Sequence, residues 1–137
     1  MTRYVLDACA LLALLRDELG QKIVADVFDA ADSGEAEIIM HKVNLLEVYY
    51  ERVRVGGKAK ADAFLAAFKE RPVTIIADIS DEVFEKAGLL KAAYNVSFAD
   101  TFALAAAFVY DAALLTADHH EMDALDAVGV VKFLWIR

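Results

Sequence analysis

The sequence predicts an α/β fold in which a mainly parallel five-stranded sheet lies between two layers of helices, an α/β/α sandwich. Three observations carry that expectation. Short β-branched or aliphatic runs alternate with longer helical patterns along the whole chain. Those short runs are mostly free of charge, as strands buried on both faces must be, and such strands belong to parallel sheets covered by helices on each side. The 137 residues are also 59% hydrophobic, against roughly 45–50% in an average soluble chain. That is enough to build one substantial core, and a single domain over residues 1–137 is expected.

The elements follow in order. Residues 3–7 (RYVLD) read as the first strand, and 8–17 and 20–32 as helices. Residues 36–40 (AEIIM) form a second strand. The helix expected over 42–55 aligns Val43, Leu46, Tyr50 and Val53 on one face, and Gly56-Gly57 breaks it. A helix over 58–71 turns Ala61, Phe64, Leu65 and Phe68 inward and stops at Pro72, the only proline. Residues 73–77 (VTIIA) are a third strand. The helix over 81–94 aligns Val83, Ala87, Leu90 and Tyr94, and the one over 98–110 is apolar nearly all round. A fourth strand (112–116), a short helix (119–127) and a final strand (130–135) complete the pattern.

Charge and cysteine content narrow the function. With 14 Lys and Arg against 22 Asp and Glu the net charge is -8, a field that repels polyanions. Attachment to nucleic acid by bulk positive charge is excluded; a protein that gathers carboxylates around a cation is not. The one cysteine, Cys9, has no intramolecular disulfide partner, which suits a reducing compartment. The apolar run 8–15 follows Asp7 and lacks a basic flank, and the longer run 101–117 is interrupted by Asp111. Neither reads as a targeting or membrane segment, and a cytoplasmic location is expected.

Four acids stand where burial is costly. Asp7 ends the first strand, and Asp118 follows the fourth by two residues. Asp100 lies in the first turn of the 98–110 helix, and Glu47 shares a face with Val43 and Tyr50. Ligands of open α/β sheets bind beyond the carboxyl ends of the strands. Carboxylates gathered there repel one another unless a cation joins them, and ligation by carboxylates without clustered His or Cys suits a hard ion such as Mg²⁺ or Mn²⁺. Each acid also has a plainer reading. Ser97-Phe98-Ala99-Asp100 is a capping box, Asp7 and Asp118 suit helix N-caps, and Glu47 can pair with Lys42 or Arg54.

Four segments resemble the PIN-domain family, and within it the VapC-type toxins of toxin–antitoxin pairs. They are Tyr4-Val5-Leu6-Asp7-Ala8-Cys9-Ala10-Leu11-Leu12, Val43-Asn44-Leu45-Leu46-Glu47-Val48-Tyr49-Tyr50, Ser97-Phe98-Ala99-Asp100-Thr101-Phe102-Ala103-Leu104-Ala105 and Leu114-Leu115-Thr116-Ala117-Asp118. Each is short and permissive, but all four occur in order over nearly the whole chain. The resemblance implies a Mg²⁺- or Mn²⁺-dependent endoribonuclease whose catalytic acids are Asp7, Glu47, Asp100 and Asp118. Asp7 and Asp100 would touch metal most directly. Asp118 would hold a second metal or a bridging water, and Glu47 would act through water. Ser97 and Thr116 match polar positions that support the site. Where many relatives carry Ser or Thr two residues after the first Asp, this chain carries Cys9, read as a packed thiol. Glu121 is either a further acid of the site or a first-turn residue favoured by the helix dipole. His119 and His120 point to different sides of a helix and do not chelate.

An RNA substrate needs local positive charge. Arg52, Arg54, Lys58 and Lys60 fall within nine residues around the Gly-Gly turn, either as a guide for phosphates or as ordinary solvated helix ends. The resemblance also implies a homodimer and an antitoxin laid over an apolar groove near Leu11–Leu15, with Leu11, Leu12, Leu14 and Leu15 as its lining. Two other readings stay open: a PIN nuclease of RNA processing without an antitoxin, and a catalytically silent binding module whose acids serve as caps.

Overall fold

A computed structural model describes residues 1–137. Five strands form one sheet: β1 (Thr2–Leu6), β2 (Ala36–His41), β3 (Val73–Ile76), β4 (Ala113–Thr116) and β5 (Lys132–Trp135). Their order is β3-β2-β1-β4-β5, and every pairing is parallel. Seven helices connect and cover them: α1 (Ala8–Leu15), α2 (Gln21–Asp32), α3 (Lys42–Gly56), α4 (Lys58–Lys69), α5 (Asp81–Ala93), α6 (Phe98–Val109) and α7 (His119–Val128).

The sandwich follows from the two-residue period of the strands. Leu6, Ile38, Met40 and Leu115 point to one side and pack with Leu11, Val24, Phe28, Leu45, Val48 and Phe68 of α1–α4. Their neighbours Val5, Ile39 and Leu114 point to the other side and pack with Leu90, Leu104, Met122 and Leu125 of α5–α7. Both faces of the central strands are therefore apolar, and the sheet carries a core on each. Helix α6 is buried continuously over Thr101–Ala107, because α5 covers the face that the sheet does not.

Helix α3 turns differently from its sequence pattern. The expected inner face of Val43, Leu46, Tyr50 and Val53 is wrong: Leu46 is 57% and Tyr50 46% exposed. The buried stripe is Asn44, Leu45, Val48 and Glu51. Apolar residues occur almost all round this helix, so periodicity alone leaves its phase open. Docking against the sheet and α1 sets it, at the expense of burying Asn44 and Glu51. Asn44 Nδ2 donates to the Ala99 carbonyl at 3.0 Å and so ties α3 to the first turn of α6. Glu51 accepts from Arg16 at 2.8 Å and from Arg52 at 2.7 Å.

The remaining surface has apolar hollows, one of about 400 Å³ lined by Leu45, Leu46, Tyr49, Leu65 and Ile75 of α3, α4 and β3. Leu11, Leu14, Leu15, Phe28, Phe64 and Phe68 line a second of about 170 Å³ between α1, α2 and α4. Phe84 and Phe98, 73% and 68% exposed, flank another of about 460 Å³ between α5 and α6. No helix is long and apolar enough to cross a membrane.

The two arginines hold the Glu51 carboxyl down to about 2, first through the Arg52 hydrogen bond. A depressed carboxyl stabilises the fold above its unfolded pKa of about 4.3. That contribution is lost as pH falls from there towards 2. Glu51→Gln is expected to lower stability at pH 7 by ~2 kcal/mol, since a charge-assisted hydrogen bond contributes about 1.5–3. The gap between variant and wild type, read by urea denaturation, should narrow as the pH is lowered from 5 to 3. Equal stability at pH 7 would contradict a structural role for this ion pair.

Candidate active site

Strands β1 and β4 are neighbours, yet the chain visits β2 and β3 between them. This is the point where strand order reverses, and connections leaving β1 and β4 on either side open a crevice at their carboxyl ends. Asp7 is the first residue after β1, and Asp118 the second after β4. The topology thus sets these two acids side by side although 111 positions (118 less 7) separate them in the chain.

Local hydrogen bonding aims each acid. The Asp7 carboxylate accepts from Ala10 N at 2.8 Å and caps α1. The Thr116 hydroxyl lies close enough to lower the Asp7 carboxyl, and its oxygen accepts from Asp118 N at 3.1 Å. One buried threonine therefore couples the ends of β1 and β4. Asp118 caps α7 by accepting from Glu121 N at 3.3 Å. Ser97 caps α6 by accepting from Asp100 N at 3.2 Å, and its own N–H donates to Glu121 Oε2 at 2.8 Å. The capping and clustering readings of these residues hold together. The caps direct the side chains inward, and three helix N-termini bring positive dipole ends to an acidic basin.

The tightest group is Asp100, Asp118 and Glu121, each with an oxygen within 4.8 Å of the others. Asp7 lies behind it, only 2% exposed, within electrostatic reach of Asp118, Glu47 and Asp100. Glu47, half-buried on α3, completes the rim and feels Glu121. Burial pushes the Asp7 carboxyl up to about 7, against the hydrogen bonds from Thr116 and Ala10. Burial and a carboxyl–carboxyl hydrogen bond to Glu121 push Asp100 up to about 8. Glu121, the accepting member of that pair, is correspondingly lowered. Glu47 is raised by burial. The basin lacks positive charge, and burial makes its carboxyls harder to ionise.

Sequence reasoning had placed Asp7, Glu47, Asp100 and Asp118 here, and the structure brings all four to one basin. It adds Glu121, whose position in the first turn of α7 suits the dipole reading equally well in sequence. Only the contact with Ser97, 24 residues away, shows which way it turns. Cys9 lies half-buried beside Asp7, and both burial and that carboxylate raise its thiol. The expected basic cluster is largely engaged: Arg52 pairs with Glu51 and Lys58 with Asp62, while Arg54 lies over the Tyr50 ring. Lys60 makes no ion pair.

A hard divalent cation fits this donor set. The ligand atoms are carboxylate oxygens, their spacing allows shared coordination, and a dication would replace the protons that Asp7 and Asp100 hold. No curated protein sequence matches the chain. Solved structures do. The chain aligns with a chain of VapBC2 from Rickettsia felis bound to promoter DNA, at a TM-score of 0.76 and 16% identity over 98% of both chains. It aligns with one of DNA-bound VapBC from Salmonella typhimurium at 0.73 and 12% over 100% of both. For the sarcin–ricin-loop-cleaving toxin VapC20 of Mycobacterium tuberculosis the values are 0.68 and 16%, over 94% of this chain and 97% of that one. At such identities the likeness is one of fold. The family model for the PIN domain matches residues 4–128, from the first strand through the last helix, so this chain belongs to the PIN-domain family.

Proposed function

We propose that this chain is a Mg²⁺- or Mn²⁺-dependent endoribonuclease and the toxin of a VapBC-type toxin–antitoxin pair. The observation that carries the reading is the acidic basin: Asp100, Asp118 and Glu121 with oxygens within 4.8 Å, backed by a buried Asp7. An arrangement so short of positive charge destabilises the fold unless it is used. Asp7, Asp100, Asp118 and Glu121 would hold the cation. When bound, it would supply a water of lowered pKa and neutralise charge on a phosphodiester. The chain's own residues prepare for this. Thr116 holds Asp7 in place, Ser97 holds Glu121, and Glu47 orients water at the open rim. Lys60 and Arg54, neither in an ion pair with an acid, are the members of the basic cluster best able to meet RNA phosphates.

The fold neighbours solved as VapBC complexes support an antitoxin partner. We assign its apolar segment to the groove lined by Leu11, Leu14 and Leu15 with Phe28, Phe64 and Phe68. Leu12, expected there as well, does not line this groove, and Leu11, 1% exposed, forms its floor from the core. A homodimer would cover Phe84 and Phe98. RNA cleavage of this kind belongs in the cytoplasm. The silent-module reading draws on the caps made by Asp7 and Asp118. Asparagine caps a helix as well as aspartate does, so Asp→Asn substitution separates capping from charge.

Asp7→Asn and Asp100→Asn are each expected to reduce RNA cleavage at least about 100-fold while the far-UV spectrum and cooperative melt are retained. Full activity in either variant would remove the basin from the mechanism.

The raised carboxyls predict a metal effect that depends on pH. Their unfolded pKa is about 3.9, so folding takes up protons that the unfolded chain has released. Metal-free stability should therefore fall as pH rises from about 4 through the folded values of about 7 and 8. Mg²⁺ or Mn²⁺ should raise the melting temperature clearly at pH 8 and far less at pH 5, where protons occupy the carboxyls. Identical metal shifts at both pH values, or none at either, would contradict a cation site here.

A further inference from the structure

His119 follows Asp118 directly, and nothing in the proposed chemistry uses it. Its ring is held from three sides. One face stacks on Trp135, with centroids 3.8 Å apart and planes at 12°. Nδ1 meets Asp123 Oδ1 at 2.7 Å, and Nε2 meets the Arg137 carbonyl oxygen at 2.7 Å. Both ring nitrogens therefore face oxygen atoms, which tether the ring from two sides. Trp135 is itself fixed: it lies parallel to Phe133, with centroids 5.0 Å apart, and its Nε1 donates to Asp126 at 3.0 Å. With both nitrogens engaged and one face covered, the 47% of the His119 side chain that stays exposed is largely the opposite face. A surface histidine normally rotates freely. This one presents a flat, pre-ordered ring on the residue next to Asp118.

We propose that the outward face of His119 is a stacking shelf for a base of the RNA substrate, adjacent to the phosphodiester held at the basin. The proposal rests on the ribonuclease reading. Every base offers a π-face, so such a shelf grips single-stranded RNA without selecting a sequence strongly. It also answers the difficulty posed by the net charge of -8. Stacking on an aromatic ring gains affinity without the broad basic surface that this chain lacks. A base seated there would place its neighbouring phosphate within a nucleotide's length of Asp118, so His119 is a positioning residue.

The test is a kinetic cycle between protein and RNA. The substrate is a single-stranded oligonucleotide spanning whatever site the wild type cuts in total RNA, with an abasic nucleotide then walked along it. His119→Ala is expected to raise KM about tenfold, within the range of base–aromatic stacking, with kcat nearly kept. His119→Phe, which keeps a flat ring on Trp135, should recover most of that loss. An abasic nucleotide at one position should raise the wild-type KM by a similar factor and add little in His119→Ala. The near-UV circular dichroism of Trp135, the only tryptophan, reports whether the stack survives in His119→Phe. An unchanged KM in His119→Ala, or the same abasic penalty in both proteins, overturns the shelf while leaving the ribonuclease reading intact. Absence of any RNA cleavage by the wild type in Mg²⁺ or Mn²⁺ overturns the ribonuclease reading and the shelf with it.

Discussion

Repulsion among carboxylates is the constraint around which this molecule is arranged. Asp7, Glu47, Asp100, Asp118 and Glu121 converge on the carboxyl ends of β1 and β4, and Asp7 is almost fully buried. Left as five free anions they would separate. The fold restrains them in three ways: α1, α6 and α7 point their N-terminal dipoles into the basin, Ser97 N–H satisfies a Glu121 oxygen, and the raised Asp7 and Asp100 carboxyls take up a proton more readily. None of these removes the demand for positive charge, which is why the basin reads as a place for a cation.

The capping interactions show how cheaply such a basin is built. An N-cap side chain must turn back toward its own helix to meet the N2 or N3 amide. At the end of a parallel strand that turn also points the carboxylate over the sheet's edge, where ligands bind. Asp7 and Asp118 therefore stabilise α1 and α7 and line the crevice with the same oxygens. Capping a helix and lining the crevice are compatible demands here, since the same oxygens meet both.

The basic residues are spent differently. Arg16 and Arg52 close on Glu51, which joins the end of α1 to α3 and compensates a carboxylate buried by the docking of that helix. Lys58 is drawn to Asp62 on its own helix. In a chain with 22 acids and 14 Lys and Arg, seven of those cations are held in ion pairs with acids of the chain itself. His119 and Trp135 add an ordered aromatic stack on the residue next to Asp118.

The fold class, the order of its elements and four of the five acids were readable from residue order. The reason is that each rests on a short-range rule. Strand burial shows as a run of aliphatic residues, and a helix start shows as Ser97 three residues before Asp100. Strand-end acids show as Asp7 after Tyr4-Val5-Leu6 and Asp118 after Leu114-Leu115-Thr116. What needed the tertiary structure involves contact between distant segments. Helix α3 has apolar residues on most sides, and only its docking chose Leu45 and Val48 over Leu46 and Tyr50. Glu121 belongs to the basin because Ser97 N–H meets it across 24 residues. The proximity of Asp7 and Asp118 comes from strand order, and the fixing of His119 comes from Trp135 on an edge strand. Local periodicity and capping are short-range free-energy preferences that leave a mark in the sequence; the pairing of remote side chains is decided by packing, which leaves none.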